Sequence, residues 1–317
     1  MSITERIDAI TLIPETHRRP DPPAPKSVKI ELTGRCNFRC GFCALRMRES
    51  QPIDDMDFQL FKKIARSCRD AGVQEAGLFY LGESFSAPHL LCDAISYCKR
   101  ELEFPYVFLT SNASLAAPTW VAEAMRRGLD SLKWSCNYAD VTQFERLAGV
   151  KAKYYWRALE NIEAAYKIRQ SYKYATRIYA SSILYDDEQQ EKMQPLLRER
   201  VLPFVDTHYW LPLYSMGSVA TQREAELGYK PTAGNQGRLE NLREPLPCWS
   251  AFTEAHVTAD GILTACCFDA DNRFAMADLR ETSFADAWSG EKFKALRAAH
   301  LARDVTATIC EDCVAYR

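Results

Sequence analysis

The chain has 317 residues, with 40 Lys and Arg against 42 Asp and Glu and a formal net charge of −2. This length allows one large domain or two smaller ones, and the balanced charge gives no electrostatic basis for binding nucleic acid or an anionic membrane surface. The N-terminal residues lack the long apolar stretch of a secretory signal, and no segment approaches the roughly 18 apolar residues of a membrane span. We therefore expect a cytoplasmic protein that binds neither nucleic acid nor a membrane.

Strand and helix patterns alternate from residue 27 onwards, after a proline-rich lead-in over residues 19–25. The strand patterns lie at 27–33, 76–82, 106–111, 132–138, 176–184 and 207–215. The helical patterns lie at 53–72, 89–100, 118–127, 141–169 and 188–200. Such alternation favours a parallel sheet with covering helices, and a repeat count of six suits a partial (β/α)6 TIM barrel.

The alternation of strand and helix patterns ends after residue 215. Residues 216–247 are polar and rich in glycine and proline, and they are interpreted as a bridge. A hairpin with its turn at Asp260–Gly261 and one helix over 284–300 follow, which predicts a small α+β C-terminal module. The predicted division is an N-terminal extension (1–26), a barrel (27–215), the bridge (216–247) and the module (248–317).

The sequence contains 12 cysteines, and in a reducing compartment clustered cysteines bind metal or do chemistry more often than they form disulfides. Cys36, Cys40 and Cys43 directly follow the first strand with Cx3Cx2C spacing. Three thiolates can hold three irons of a [4Fe–4S] cluster and leave the fourth iron open for another ligand. The alternative is a zinc knuckle that lacks its last ligand.

With Phe42 just before the last cysteine, this motif resembles the signature of radical S-adenosylmethionine (radical SAM) enzymes. The resemblance implies a partial TIM barrel and a [4Fe–4S] cluster whose open iron is chelated by S-adenosylmethionine. Reductive cleavage of that cofactor then yields a 5′-deoxyadenosyl radical, which abstracts a hydrogen atom from the substrate. An external reductant such as a flavodoxin or a ferredoxin is implied as a partner.

The resemblance also suggests residues that bind S-adenosylmethionine. Phe42 would pack against the adenine, and the YLGES segment resembles the family's amino-group site although Leu81 replaces the usual first glycine. Polar residues after later strands would bind the ribose or the carboxylate. The complete set of candidates is Phe42, Gly82, Glu83, Asn112, Ser135, Asn137 and Arg177.

Four C-terminal cysteines are spaced for a closed site, namely Cys248, Cys266, Cys310 and Cys313. From chemistry alone both zinc and a [4Fe–4S] cluster suit four thiolates. The arrangement is similar to the twitch form of the SPASM module, which implies one auxiliary [4Fe–4S] cluster. Cys267 is left over, either as a packed thiol, as a ligand in place of Cys266, or as a hydrogen-atom donor to a substrate radical.

The resemblance leaves several reactions open. We expect the two-electron oxidation of a C–H bond in a polar small molecule, such as a sugar, an aminocyclitol or a similar natural-product intermediate. The auxiliary cluster would accept an electron, and His208 or Arg177 would act as the base. The alternatives are an epimerase that uses Cys267, a ribosomal-peptide maturase, and a metal-binding scaffold without activity. Only 35 residues precede Cys36, fewer than a leader-peptide-binding domain needs, which disfavours the maturase.

Overall fold

The computed structural model describes residues 2–47, 53–216, 219–313 and 315. Its strands are β1 Ser27–Ile30, β2 Glu75–Gly77, β3 Tyr106–Ser111, β4 Ser131–Ser135, β5 Arg177–Leu184, β6 Thr207–Pro212, β7 Glu254–Val257, β8 Ile262–Thr264 and β9 Ala275–Asp278. Its helices are α1 Ile3–Thr11, α2 Phe58–Asp70, α3 Pro88–Ser96, α4 Pro118–Arg126, α5 Val141–Ala148, α6 Lys153–Tyr172, α7 Asp187–Arg200, α8 Val219–Gln222, α9 Glu224–Leu227, α10 Phe284–Trp288 and α11 Glu291–Leu301. No helix in these ranges is long and apolar enough to cross a membrane.

The strands form one nine-stranded sheet in the order β6-β5-β4-β3-β2-β1-β7-β8-β9. Strands β1 to β6 run parallel, each paired with its neighbour in the chain, and helices fill most of the connections. This arrangement confirms the predicted α/β fold with a partial barrel. Its six predicted strands are all present.

Side chains alternate between the inside of the barrel and the helical layer, as strand geometry requires. In β4 the apolar Leu132 and Trp134 are fully buried, while Ser131, Lys133 and Ser135 line a central cavity. The interior of the barrel is therefore polar enough to hold a ligand, and the apolar core lies mainly between the sheet and the helices.

The C-terminal hairpin extends the barrel sheet. Strand β7 pairs in parallel with β1, in the register Lys29↔His256, and β8 and β9 continue antiparallel. The predicted hairpin is present, but its pairing with β1 could not be read from local sequence. The bridge contains only α8 and α9, and residues 217, 218, 314, 316 and 317 lie outside the described residues.

Two helices predicted as continuous are each divided at a glycine. Gly149 adopts a left-handed conformation at φ +65 and ends α5 before α6 begins. Gly290 is the N-cap of α11, directly after α10 and its C-cap. In both places the apolar pattern continues in the sequence after the glycine, so periodicity alone does not reveal that the helix is interrupted.

Helix α1 closes the barrel at the N-terminal ends of its strands, and no predicted element corresponds to it. A capping box between Ser2 and Glu5 starts the helix. Arg6 forms an ion pair at 2.7 Å with Glu75, the first residue of β2, and Arg238 pairs with Asp8 at 2.9 Å. The helix therefore forms the floor of the central cavity.

Candidate active site and iron–sulfur sites

The loop after β1 brings its three cysteines to one small cavity. Cys36, Cys40 and Cys43 line this cavity together with Phe38. Burial, followed by the proximity of Cys40, raises the pKa of the Cys36 thiol well above its usual range. The Tyr138 hydroxyl lies 3.0 Å from Cys40 Sγ. The three thiols therefore face a common space, as ligands of one metal cluster must.

The segment that follows β2 packs directly onto the cysteine loop. The Gly82 amide donates a hydrogen bond to Glu31 Oε1 at 3.1 Å, and the Glu83 amide donates to the Arg35 carbonyl at 2.8 Å. A Cβ atom on Gly82 would lie 1.9 Å from the Thr33 carbonyl oxygen. Only glycine fits there, so this residue sets the distance between the strand end and the cysteine loop.

Glu83 and Asn112 support the loop instead of lining the central cavity. The buried Glu83 carboxylate accepts hydrogen bonds from Ser111 Oγ at 2.9 Å and from the Asn112 amide at 2.7 Å. Asn112 Nδ2 donates to Asn37 Oδ1 at 3.0 Å and lies 4.0 Å from Cys36 Sγ. These bonds connect both residues to the cysteine loop and its neighbours, and their role in binding S-adenosylmethionine stays a prediction.

A central cavity of about 360 Å³ runs along the inside of the barrel. Phe42, Cys43, Ser135 and Asn137 line its upper end, at the carboxyl ends of the strands, and Arg6 of α1 lies at its lower end. Three predicted cofactor-binding residues, Phe42, Ser135 and Asn137, are thus brought together beside the cysteine loop. A small molecule chelated at the loop would extend into this cavity.

Cys267 and several charged residues also line the central cavity. Lys29 pairs with Glu254 at 2.7 Å, and Glu254 lies 3.0 Å from His256 Nε2. Burial alone would raise the pKa of Glu254, but the Lys29 charge and the hydrogen bonds from His256 and Lys29 together outweigh it and lower that pKa to about 2. Lys29 and Lys133 are not among the residues predicted from the sequence, although each is a charged residue at an alternate position in a largely apolar strand.

The four C-terminal cysteines line a second cavity, of about 110 Å³. They are Cys248, Cys266, Cys310 and Cys313. Burial, followed by the proximity of Cys248, raises the pKa of Cys310. Within the described ranges, no three His, Cys, Asp or Glu side chains are grouped as ligands of a single metal ion. Because Cys266 lines this cavity and Cys267 lines the central one, the structure favours Cys266 as the ligand.

Tyr80 lies three residues after β2 and connects the two sites, because it lines the central cavity and contacts the C-terminal cysteine site. Its buried hydroxyl donates a hydrogen bond to the Cys266 carbonyl at 2.6 Å and accepts one from the Asp269 amide at 3.1 Å. The second cavity shares two lining residues, Asn235 and Phe268, with the central cavity. The two candidate cofactor sites are therefore direct neighbours.

The structure places Arg177 and His208 outside the lining of the central cavity and so does not support the roles predicted for them. Arg177 is the first residue of β5, its side chain is 66% exposed, and it faces Asp206 at 3.9 Å, at the end of the barrel opposite the cysteine loop. His208 bonds Ser182 Oγ at 2.9 Å, while the next residue, Tyr209, lines the cavity. Strand direction and alternation thus turn both side chains away from the site.

Comparison with known families identifies the chain. Residues 30–189 match the model of the radical SAM superfamily. The chain belongs to the radical SAM superfamily. Residues 248–314 match the model of SPASM, an iron–sulfur cluster-binding domain. The cofactors are accordingly S-adenosylmethionine, a [4Fe–4S] cluster and an auxiliary iron–sulfur cluster.

Curated relatives of this radical SAM protein include S-adenosylmethionine-dependent nucleotide dehydratases named RSAD2. The Danio rerio protein is 30% identical over 169 residues, 52% of this chain and 45% of the relative. The Oncorhynchus mykiss protein is 25% identical over 181 residues, 54% of this chain and 49% of the relative. The chain therefore spans about half the length of these relatives.

Solved structures share the fold over most of the chain. Streptococcus suis SuiB bound to precursor peptide SuiA has a TM-score of 0.65 at 15% identity, covering 93% of this chain and 71% of SuiB. BtrN in complex with AdoMet and 2-DOIA has a TM-score of 0.57 at 15% identity, covering 91% and 92%. AdoMet-bound anSMEcpe has a TM-score of 0.61 at 12% identity, covering 87% and 84%. These similarities establish the fold.

The residues present fit the cofactors of a radical SAM enzyme with a SPASM domain. Three thiols around one small cavity match a cluster with one open iron, and four thiols around another match a fully ligated cluster. The central cavity begins at Cys43 and Phe42, where S-adenosylmethionine would be held. Metal-bound thiols are deprotonated, so binding of the clusters would reverse the raised pKa of thiols such as Cys36 and Cys310.

Proposed function

We propose that this radical SAM enzyme carries out the two-electron oxidation of a C–H bond in a polar small molecule, such as a sugar, an aminocyclitol or a similar natural-product intermediate. Once bound, the cofactors supply a 5′-deoxyadenosyl radical that removes the substrate hydrogen atom and an auxiliary cluster that accepts the second electron. Cys36, Cys40 and Cys43 would hold one cluster, and Cys248, Cys266, Cys310 and Cys313 the other. A flavodoxin or a ferredoxin would supply the initiating electron in the cytoplasm.

The observation that carries this proposal is the adjacency of the two cavities. Cys43 and Cys267 both line the central cavity, and Cys266 lines the second cavity beside it. A substrate in the barrel would thus lie between the two clusters, as an oxidation with an internal electron acceptor requires. The floor formed by α1 and the pairing of Arg6 with Glu75 favour a small substrate over a threaded peptide.

A specific observation also supports an epimerase as the second candidate. The Cys267 thiol lines the same cavity as Phe42 and Ser135. A thiol in this position is able to donate a hydrogen atom to a substrate radical. SuiB was solved with a precursor peptide, so peptides are included among the substrates to be tested. Nucleotides are included because the curated relatives are nucleotide dehydratases.

The test is turnover by anaerobically reconstituted enzyme in D2O with a panel of polyols, aminocyclitols, nucleotides and short peptides. We expect one product that has lost a pair of hydrogens, formed together with 5′-deoxyadenosine. Cys310→Ala should stop product formation but retain slow cleavage of S-adenosylmethionine, because only the auxiliary site is opened. Cys92→Ala, a change at a buried thiol on α3, is the matched control.

The same experiment separates the alternatives. An isomeric product that contains solvent deuterium, and that disappears in Cys267→Ala, would replace oxidation with epimerisation. Full product formation by Cys310→Ala would remove the auxiliary cluster from the reaction. Failure of the reduced wild-type enzyme to cleave S-adenosylmethionine would favour a metal-binding scaffold.

A further inference from the structure

The central cavity has an uneven distribution of charge. Its charged lining residues are Arg6, Lys29, Glu75, Lys133, Arg238 and Glu254. Arg6 pairs with Glu75 at 2.7 Å, Lys29 with Glu254 at 2.7 Å, and Arg238 with Asp8 at 2.9 Å. Across the parts of the chain that the structure describes, Lys133 is the member of this set without a carboxylate partner. It therefore leaves one uncompensated cation inside the barrel.

The surroundings of Lys133 suit an anion. Its ammonium group lies 6.0 Å from the centre of the Tyr209 ring. Thr110 of β3 is paired in register with Lys133, and Ser131 and Ser135 flank it on the same face of β4. All of these hydroxyl residues line the cavity. A cation surrounded by hydroxyl groups is a typical binding site for a carboxylate or a phosphate group.

Keeping this charge inside the barrel carries a cost. Burial, followed by repulsion from Lys29, lowers the pKa of Lys133 to about 8. Lys133 is half-buried, so its unpaired ammonium group is partly removed from water, which is unfavourable; a bound anion would offset that cost and return the pKa towards its usual range. Methionine or leucine would fill the same space without a penalty. The lysine is therefore better explained by a ligand than by packing.

We propose that Lys133 binds an anionic group of the substrate, which narrows the polar small molecules proposed above to those that carry a carboxylate or a phosphate group. This inference rests on the proposed function only in taking the central cavity as the substrate site. Lys133 lies two positions before Ser135 on β4, deeper in the barrel than Phe42 and Asn137. The anionic group would thus be held below the cysteine loop, with the rest of the substrate directed towards it.

The test measures anion binding to the reconstituted enzyme in the presence of S-adenosylmethionine, at constant ionic strength. Malonate represents a carboxylate, inorganic phosphate a phosphate group, and 1,3-diaminopropane serves as the cationic control. Calorimetry and thermal stabilisation are recorded for the wild type, Lys133→Met, Lys133→Arg and the exposed control Lys151→Met. We expect Lys133→Met to weaken binding of malonate or phosphate by about ten- to a hundredfold. Lys133→Arg and Lys151→Met should retain binding.

The preferred probe decides between a carboxylate and a phosphate substrate. Equal anion binding by the wild type and Lys133→Met, or no binding to the wild type, would overturn the proposal. A loss of S-adenosylmethionine binding in Lys133→Met would also overturn it, because the lysine would then serve the cofactor. Binding needs no turnover, so a failure of the proposed oxidation would leave this result intact.

Discussion

At the scale of single residues, Gly82 sets the position of the cysteine loop. Its missing side chain allows the end of β2 to approach the Thr33 carbonyl, while its amide bonds Glu31. Glu31 also accepts a hydrogen bond from the Ala259 amide at 3.2 Å, so one buried carboxylate contacts both the β2 end and the C-terminal hairpin. The chemistry of the cysteines thus depends on neighbours that carry no reactive group.

Gly82→Ala should therefore destabilise the protein and impair loading of the radical SAM cluster. The new Cβ would lie 1.9 Å from a backbone oxygen, and we expect a loss of roughly 3 kcal/mol or more, since backbone must move. Gly41→Ala is the matched control because its Cβ would meet, at 2.8 Å, only the flexible Leu227 side chain. Urea unfolding and iron content measure both effects. Equal stability of Gly82→Ala and the wild type would refute this role.

At the scale of secondary-structure elements, the pairing of β1 with β7 joins the barrel to the SPASM domain. The buried ion pair between Lys29 and Glu254 crosses this junction. Removal of one partner from a buried ion pair leaves an uncompensated charge, whereas removal of both leaves a smaller cost. The pair therefore provides a direct probe of how firmly the two regions are connected.

Lys29→Met should lower the free energy of unfolding by roughly 3–5 kcal/mol, because the buried Glu254 would lose its cationic partner and keep only its contact with His256. The double variant Lys29→Met/Glu254→Gln should recover part of that loss. Lys167→Met, which breaks an exposed pair with Glu163, should cost less than about 1 kcal/mol. Anaerobic urea unfolding measures these three variants and the single variant Glu254→Gln. A double variant as unstable as the sum of its single variants would show that the two residues do not interact.

Element by element, the local sequence predicts the barrel well and its connections poorly. The six parallel strands and the hairpin around Gly261 have clear local patterns, and all are present. The pairing of β7 with β1 joins residues more than 200 positions apart, and no local pattern encodes it. Helix α1 was missed because its contacts, such as Arg6 with Glu75, become apparent only once the barrel is assembled.

The same contrast applies to the site. Cysteine spacing predicts groups that the structure places together, because a metal cluster needs several ligands within a short reach. The predictions for His208 and Arg177 depend on the strand patterns alone, which do not show the face of the sheet or the end of the barrel at which each side chain lies. Lys133 could not be predicted from the sequence, because the lack of a carboxylate partner beside it in the cavity becomes visible only in the folded structure.

At the scale of the whole molecule, two cysteine sites flank one central cavity. The cysteine loop lies at its upper end, Cys267 lies on its wall, and Cys266 lies on the far side of that wall. The radical SAM barrel and the SPASM domain share a single sheet, so the two sites have a fixed relation to each other. This arrangement would allow both clusters to act on one substrate, as the proposed oxidation requires.

The most direct test of this account is the iron and sulfide content, with EPR spectra, of anaerobically reconstituted protein. The wild type is compared with a triple variant in which Cys36, Cys40 and Cys43 are replaced by Ala. We predict about eight irons in the wild type and about four in the variant, one [4Fe–4S] cluster being lost. About four irons in the wild type, together with zinc in the variant, would contradict the account, because the SPASM site would then hold no electron acceptor.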